Sequence, residues 1–187
     1  MNRRQLIKTF GALGVFSALG YKVYDIFHTP DFTFLKKKLS LLAEVSETII
    51  PQTDTPGAKD ANVAAFVVYA VEEILGRQEQ NTFIDGLKQL DSYSKSTYGK
   101  PFESCSAVER MAALNYMKDG YQLSGFLAKV KQKLLGNSFV EILRELVVVG
   151  YCTSEVGATQ GLAYELVPGN FISCTQILPN QKSWATK

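Results

Sequence analysis

The side chains of this chain that could carry out redox, metal or nucleophilic chemistry are few and far apart. The single histidine is His28, and the three cysteines are Cys105, Cys152 and Cys174. Zinc and iron–sulfur sites need ligands at short, repeated spacings, which these cysteines do not have. A Ser–His–Asp or Cys–His site would need His28 in a cleft, and a linker is a poor place for one. We therefore predict neither catalytic residues nor metal ligands.

The carboxylates and glycines of the chain likewise do not indicate a catalytic or cofactor-binding site. Glu72 and Glu73 are adjacent, and adjacent residues of a helix do not face one another. Glu44 and Glu47 are three apart and share a helix face, and we interpret both as solvent-exposed surface charge. The glycines of Gly157–Gly161 lack the strand–turn–helix context that a dinucleotide site requires. No cofactor-binding residue is predicted in this chain.

The odd number of cysteines allows one internal bridge at most in an oxidising compartment. Cys152 and Cys174 flank a glycine-rich segment, and a bridge between them would add about 3 kcal/mol through loop closure. The alternative is that one of the two bonds to a partner chain. We favour the Cys152–Cys174 bridge and expect Cys105 to be a small buried residue.

The N-terminal segment has the composition of a twin-arginine export signal. The residues of the signal are Arg3, Arg4, Leu6, Ile7 and Lys8. A short apolar run from Phe10 to Gly20 follows them, and Lys22 and Asp25 stop it well before the roughly 20 apolar residues of a membrane-spanning helix. We expect export of the folded protein to the periplasm. The alternative is a basic amphipathic helix of a cytoplasmic protein.

No clear Ala-x-Ala cleavage site follows the apolar run, and Ser17–Gly20 is a weak substitute for one. If the leader is not cleaved, it tethers the protein to the inner membrane. This route is normally taken by proteins that receive a bulky cofactor before export, yet no cofactor site is predicted here. The cofactor is therefore expected on another protein.

Composition indicates one globular domain behind the leader. The chain has 187 residues, is 46% hydrophobic and carries a formal net charge of +2. A chain of this size forms a single domain with a sizeable core. The basic residues concentrate at the start and at Lys36–Lys38, so no nucleic-acid partner is expected. We assign residues 1–30 to the signal peptide and linker and residues 31–187 to a helical domain.

The spacing of apolar residues predicts an all-α fold: a compact multi-helix domain with an irregular C-terminal tail. The predicted helices run from Leu39 to Ile50, from Ala64 to about Gly76, from Glu79 to Leu90, from Ser106 through Met117, from Phe126 to Leu135, and from Glu141 to Tyr151. Pro51 ends the first, and Asp60 or Asn62 caps the second. Ser106 and Ser138 each begin a capping box.

The remaining segments are predicted to be irregular. Tyr21–Phe34 is expected to be a linker and Lys95–Phe102 a loop. The apolar helix that ends at Tyr151 is expected to be central and buried. The tail from Thr153 onward is expected to be extended, with room for short strands.

Two segments of the chain resemble the gluconate 2-dehydrogenase subunit 3 family. The first is LAEVSETIIPQTDTPGA, from Leu42 to Ala58, and the second is GYCTSEVGATQGLAYELVPGNFISC, from Gly150 to Cys174. The second includes a Pro-Gly-x-Phe element followed by a cysteine. Cys152 departs from the pattern, where an aromatic residue is more usual.

The resemblance implies a non-catalytic small subunit. Members accompany a large FAD-containing subunit of the glucose–methanol–choline oxidoreductase type, and often a cytochrome c subunit that carries haem c. Such complexes oxidise sugars, sugar acids or polyols at the periplasmic face. The small subunit often carries the signal for the twin-arginine translocase, and the large subunit is exported with it. Two alternatives stay open: a dedicated export chaperone, and a stand-alone periplasmic enzyme.

The tail supplies candidate residues for a partner interface. They are Tyr164, Pro168, Gly169 and Phe171. Aromatic side chains on irregular backbone suit an interface, because they bury a large area. The alternative, that they cover the domain's own core, is equally compatible with the sequence. The segment from Ile49 to Gly57 is expected to order the turn between two helices, with direct partner contact as the weaker hypothesis.

Overall fold

The computed structural model describes residues 28–119 and 137–167, together with 169, 174, 176–177 and 179–185. Its α-helices are α1 (Phe32–Lys37), α2 (Leu39–Ile49), α3 (Val63–Glu73), α4 (Arg77–Tyr98), α5 (Ala107–Asp119) and α6 (Phe139–Thr153). A 3₁₀ turn spans Phe102–Ser104, and a π-helical turn spans Gly157–Gly161. The predicted all-α fold is confirmed. The export-signal residues and the predicted helix Phe126–Leu135 lie outside the described residues.

The core lies where α6 packs against α3 and α4, and α2 contacts both α3 and α6. Phe83 of α4 meets Phe139 of α6 with ring centroids 5.5 Å apart. Gly86 lets the two helices approach, because a Cβ at that position would overlap the Phe139 ring. The buried face of α6 includes Leu143 and Val147, as expected from its apolar sequence.

Two predicted segments are wrong at their ends. The linker predicted to reach Phe34 gives way to helix at Phe32, where the Asp31 carboxylate accepts the Phe34 N–H at 3.0 Å. The loop predicted from Lys95 begins only after Tyr98, since α4 continues to that residue. Gly99 then ends the helix with φ of +71°, a left-handed conformation that glycine adopts without strain.

Capping was predicted correctly at two helices and wrongly at one. Ser106 and Ser138 each exchange hydrogen bonds with the residue three positions on, Glu109 and Glu141 respectively. The start of α3 has no side-chain cap: Asn62 precedes it in a left-handed conformation without capping it. The Asp60 carboxylate instead accepts the Gly57 N–H in the turn that precedes α3.

The extended tail predicted from Thr153 onward is wrong at its beginning, where the chain stays helical and forms the π-helical turn Gly157–Gly161. The residues described after this turn are irregular. Among the described residues, the only strand-like pairing is a parallel bridge between Ala163 and Trp184. The Ala163 N–H donates to the Ser183 carbonyl at 2.8 Å, and the Ala185 N–H donates to the Ala163 carbonyl at 2.8 Å. Within the part of the chain that the structure describes, no helix has the length and apolar content to span a membrane.

Candidate partner-binding site

The turn between α2 and α3 has an exposed tip, and backbone hydrogen bonds join the residues at its two ends. The Ala58 N–H donates to the Ile50 carbonyl at 2.9 Å, and the Val63 N–H donates to the Ala58 carbonyl at 3.0 Å. These bonds hold the two ends of the loop together. The exposed tip between them consists of Pro51, Gln52, Thr53 and Asp54. The prediction that this segment orders the connection between two helices is confirmed.

The side chain of Glu47 in α2 holds the backbone of this turn through two hydrogen bonds. One carboxylate oxygen accepts the Gln52 N–H at 2.8 Å, and the other accepts the Lys59 N–H at 2.9 Å. Backbone donors on both sides of the turn therefore meet one side chain. Hydrogen bonds to an ionised acceptor are stronger than neutral ones. The Glu47 carboxylate thus supplies the acceptors for two backbone N–H groups of the turn, those of Gln52 and Lys59.

Gly57 leaves the space that the Glu47 carboxylate occupies. A Cβ at this position would overlap that carboxylate and would lie 2.7 Å from the Gln52 nitrogen. The glycine is needed for this close approach, and its buried position offers no other room. Its N–H donates to the Asp60 carboxylate at 3.1 Å, so a second acidic side chain closes the other side of the turn.

The rim of the turn is a small polar cluster. The Thr53 hydroxyl donates to the Asp54 carboxylate at 3.0 Å and lies 3.5 Å from the Thr55 hydroxyl. The Thr53 N–H donates to the Thr55 carbonyl at 3.0 Å. The exposed tip is therefore ordered by its own side chains as well as by Glu47.

Tyr151 joins this turn to the C-terminal tail. Its hydroxyl, carried by the last turn of α6, donates to the Pro56 carbonyl at 2.8 Å. Gly161 lies against the same hydroxyl, because a Cβ there would overlap it. Gly157 packs equally closely on the Tyr151 carbonyl. The two segments that carry the family resemblance thus meet in space around one buried tyrosine.

The beginning of the tail carries the interface residues predicted from sequence. Tyr164 is 44% exposed and Gly169 is exposed, while Pro168 and Phe171 lie outside the described residues. Leu166 and Val167, which were not predicted as interface residues, are 80% and 78% exposed. No sequence pattern distinguishes these two residues from apolar residues of the core.

Glu44 was also missed and is the centre of an ion-pair network. Its carboxylate lies 2.6 Å from the Lys59 ammonium and pairs with the Arg110 guanidinium of α5. Burial alone would raise the pKa of Glu44, but the Lys59 hydrogen bond and the Arg110 charge outweigh it, so the pKa lies below its usual value. The interpretation of Glu44 and Glu47 as solvent-exposed surface charge is wrong, because both are half-buried and hold the turn.

The cysteines occupy three different environments. Cys105 is buried, as predicted, and its burial raises the pKa of the thiol. Cys152 is half-buried and Cys174 is exposed, and all three are free thiols in this structure. The Cys152–Cys174 bridge is not formed here, and it stays a prediction for the exported protein.

Among the described residues, no group of three histidine, cysteine or acidic side chains is placed to hold a metal ion. Among the described residues are an exposed polar turn, held by the Glu47 carboxylate, and exposed apolar side chains at Tyr164, Leu166 and Val167. Exposed polar and apolar groups of this kind occur in protein–protein interfaces.

A family model described as gluconate 2-dehydrogenase subunit 3 matches residues 36–169. The match covers more than half of the chain, including all of Leu42–Ala58 and most of Gly150–Cys174. Comparison with curated proteins and with solved structures finds no match. The matched residues include α2 to α6, the turn, and the exposed beginning of the tail.

Proposed function

Because the chain belongs to the gluconate 2-dehydrogenase subunit 3 family, we propose that it is the non-catalytic accessory subunit of a periplasmic, FAD-dependent sugar, sugar-acid or polyol dehydrogenase. In this proposal a larger flavoprotein subunit of the glucose–methanol–choline oxidoreductase type holds the FAD. A cytochrome c subunit with haem c passes the electrons on. This chain holds no cofactor and stabilises the larger subunit by binding it.

The observation that carries the proposal is the family match across both motif segments. The contact between those segments, from the Tyr151 hydroxyl to the Pro56 carbonyl, supports it further. It brings together two segments that lie far apart in the sequence. A surface with exposed Leu166 and Val167 fits a chain that is covered by a partner.

The second part of the proposal concerns export. Arg3 and Arg4 begin a segment with the composition of a twin-arginine signal, and we propose that it carries the folded flavoprotein across the inner membrane together with this chain. The larger subunit then needs no signal of its own. An uncleaved leader would keep the assembled complex at the membrane.

A fractionation experiment tests the export proposal. The double variant Arg3→Lys, Arg4→Lys is expressed with the larger subunit, and both proteins are measured in cytoplasmic and periplasmic fractions. We expect both to stay in the cytoplasm, because the translocase requires the arginine pair. The matched control Lys36→Arg, Lys37→Arg changes basic residues outside the signal and should leave both in the periplasm. Arrival of the flavoprotein in the periplasm with the arginine variant would show that it travels independently.

A further inference from the structure

We propose that the larger subunit docks on one composite surface made of the turn Pro51–Thr55, whose tip is exposed, and the apolar segment Tyr164–Val167. This inference rests on the proposed function, since it needs a larger subunit to bind. It goes further by adding the turn to the interface and by giving Tyr151 the role of a positioning residue between the two parts.

The end of the turn and the chain just before the apolar segment meet at one side chain, although they are about a hundred residues apart in sequence. The Tyr151 hydroxyl donates to the Pro56 carbonyl at the end of the turn, at 2.8 Å. The same hydroxyl lies against Gly161, three residues before Tyr164. One buried side chain therefore connects the end of the turn to Gly161, which precedes the apolar segment by three residues.

The turn has the properties of a preorganised recognition element. Its tip, from Pro51 to Asp54, is exposed, yet its backbone is held by the Glu47 carboxylate at 2.8 and 2.9 Å. A loop that is already ordered loses little conformational entropy when a partner binds it.

The apolar segment supplies the contact area. Leu166 and Val167 are almost fully exposed, and Tyr164 is 44% exposed. Contiguous exposed apolar residues are a sign of an interaction site, and tyrosine is a frequent anchor at such sites. Burying them against a second protein removes this apolar surface from water.

The charges on the surface indicate the chemistry of the occupant. Asp54 on the turn and Glu165 in the apolar segment are both exposed and acidic. The partner surface that fits is an apolar pocket bordered by lysine or arginine side chains. We assign this occupant to the larger subunit, because the family to which the chain belongs is one of dehydrogenase subunits.

The test measures binding of the full chain to the larger subunit, with dissociation constants at two salt concentrations. Leu166→Ser should weaken binding about tenfold or more. Val108→Ser is the matched control, since Val108 is also 80% exposed but lies on α5; it should leave binding unchanged. The double variant Thr53→Ala, Asp54→Asn should weaken binding several-fold and reduce its salt dependence.

Tyr151→Phe separates positioning from ordinary structural support. This variant keeps the ring and removes the bond to the Pro56 carbonyl, so it should weaken binding several-fold in the wild-type background. In the Thr53→Ala, Asp54→Asn background the same change should have little further effect, because the contacts that it positions are gone. A purely structural role would give the same loss in both backgrounds.

The outcomes distinguish this inference from the proposed function. If the wild-type chain fails to bind the larger subunit, the proposed function is wrong. If it binds and the turn variant or Leu166→Ser binds equally well, only the composite surface is wrong. Self-association of this chain that Leu166→Ser abolishes would overturn the choice of occupant.

Discussion

The close approach of Gly57 to Glu47 makes Gly57→Ala the most informative single substitution in the fold. The new methyl group would occupy the place of the Glu47 carboxylate and would also approach the Gln52 nitrogen, 2.7 Å away. The carboxylate then has to move, and its hydrogen bonds to the Gln52 and Lys59 N–H groups are lost or lengthened. The expected result is a less stable and more mobile turn.

The size of the effect follows from these contacts. Each lost hydrogen bond to an ionised acceptor contributes about 1.5–3 kcal/mol when buried, and Glu47 is only half-buried, so the lower end applies. Overpacking by one methyl group independently gives about 1–3 kcal/mol. We therefore expect Gly57→Ala to lower the free energy of unfolding by about 2 kcal/mol.

Urea unfolding of four proteins measures this coupling: wild type, Gly57→Ala, Glu47→Ala and the double variant. The m-value should stay constant, so the midpoint reports stability. Gly57→Ala should be clearly less harmful in the Glu47→Ala background, with a coupling energy of about 1 kcal/mol or more. Gly169→Ala, where a Cβ meets nothing within 4 Å, is the matched control and should stay within about 0.5 kcal/mol. Strict additivity of the two substitutions would refute the reasoning.

Three further predictions concern other parts of the fold. Hydrogen bonds from Lys100 and from the Ser106 backbone lower the pKa of Glu109 to about 2 from the usual 4.5. The contribution of ionised Glu109 to stability is therefore complete above pH 4.5 and is lost as the pH falls towards 2. In the variant Lys100→Met, an NMR titration should show a higher pKa for Glu109. Gly86→Ala should destabilise the protein by about 1–3 kcal/mol because the methyl group enters the Phe139 ring, and unchanged thermal unfolding would contradict this. Glu44→Gln should cost about 1–3 kcal/mol, with Glu145→Gln on the exposed face of α6 as the control that changes little.

The helices could be predicted from sequence because their signals are local. A serine followed three residues later by a glutamate marked the starts of α5 and α6, and both capping boxes are present. Apolar residues located both ends of α2 and the start of α3 to within one residue, whereas the predicted end of α3 was about three residues too late. The end of α4 was misplaced because the charged and polar residues before Gly99 resemble a loop in composition, while the left-handed glycine determines where the helix ends.

The candidate site could be predicted only in part, because its geometry depends on contacts between distant residues. Nothing in the spacing of Glu44 and Glu47 shows that Lys59, or Arg110 of α5, will meet one of them. The hydrogen bond from Tyr151 to Pro56 spans 95 positions and leaves no periodic pattern. The motif resemblance indicated that both segments matter, and the fold supplies the reason that they belong together.

Native mass spectrometry of the complex, purified from the periplasm through this chain, tests the central claim most directly. We expect this chain at equal stoichiometry with a larger subunit, with FAD carried by the larger subunit and released only when that subunit unfolds. The isolated chain should be colourless and should not oxidise sugars with an artificial electron acceptor. A flavin bound to the isolated chain, or purification of this chain from the periplasm without any larger subunit, would contradict the account.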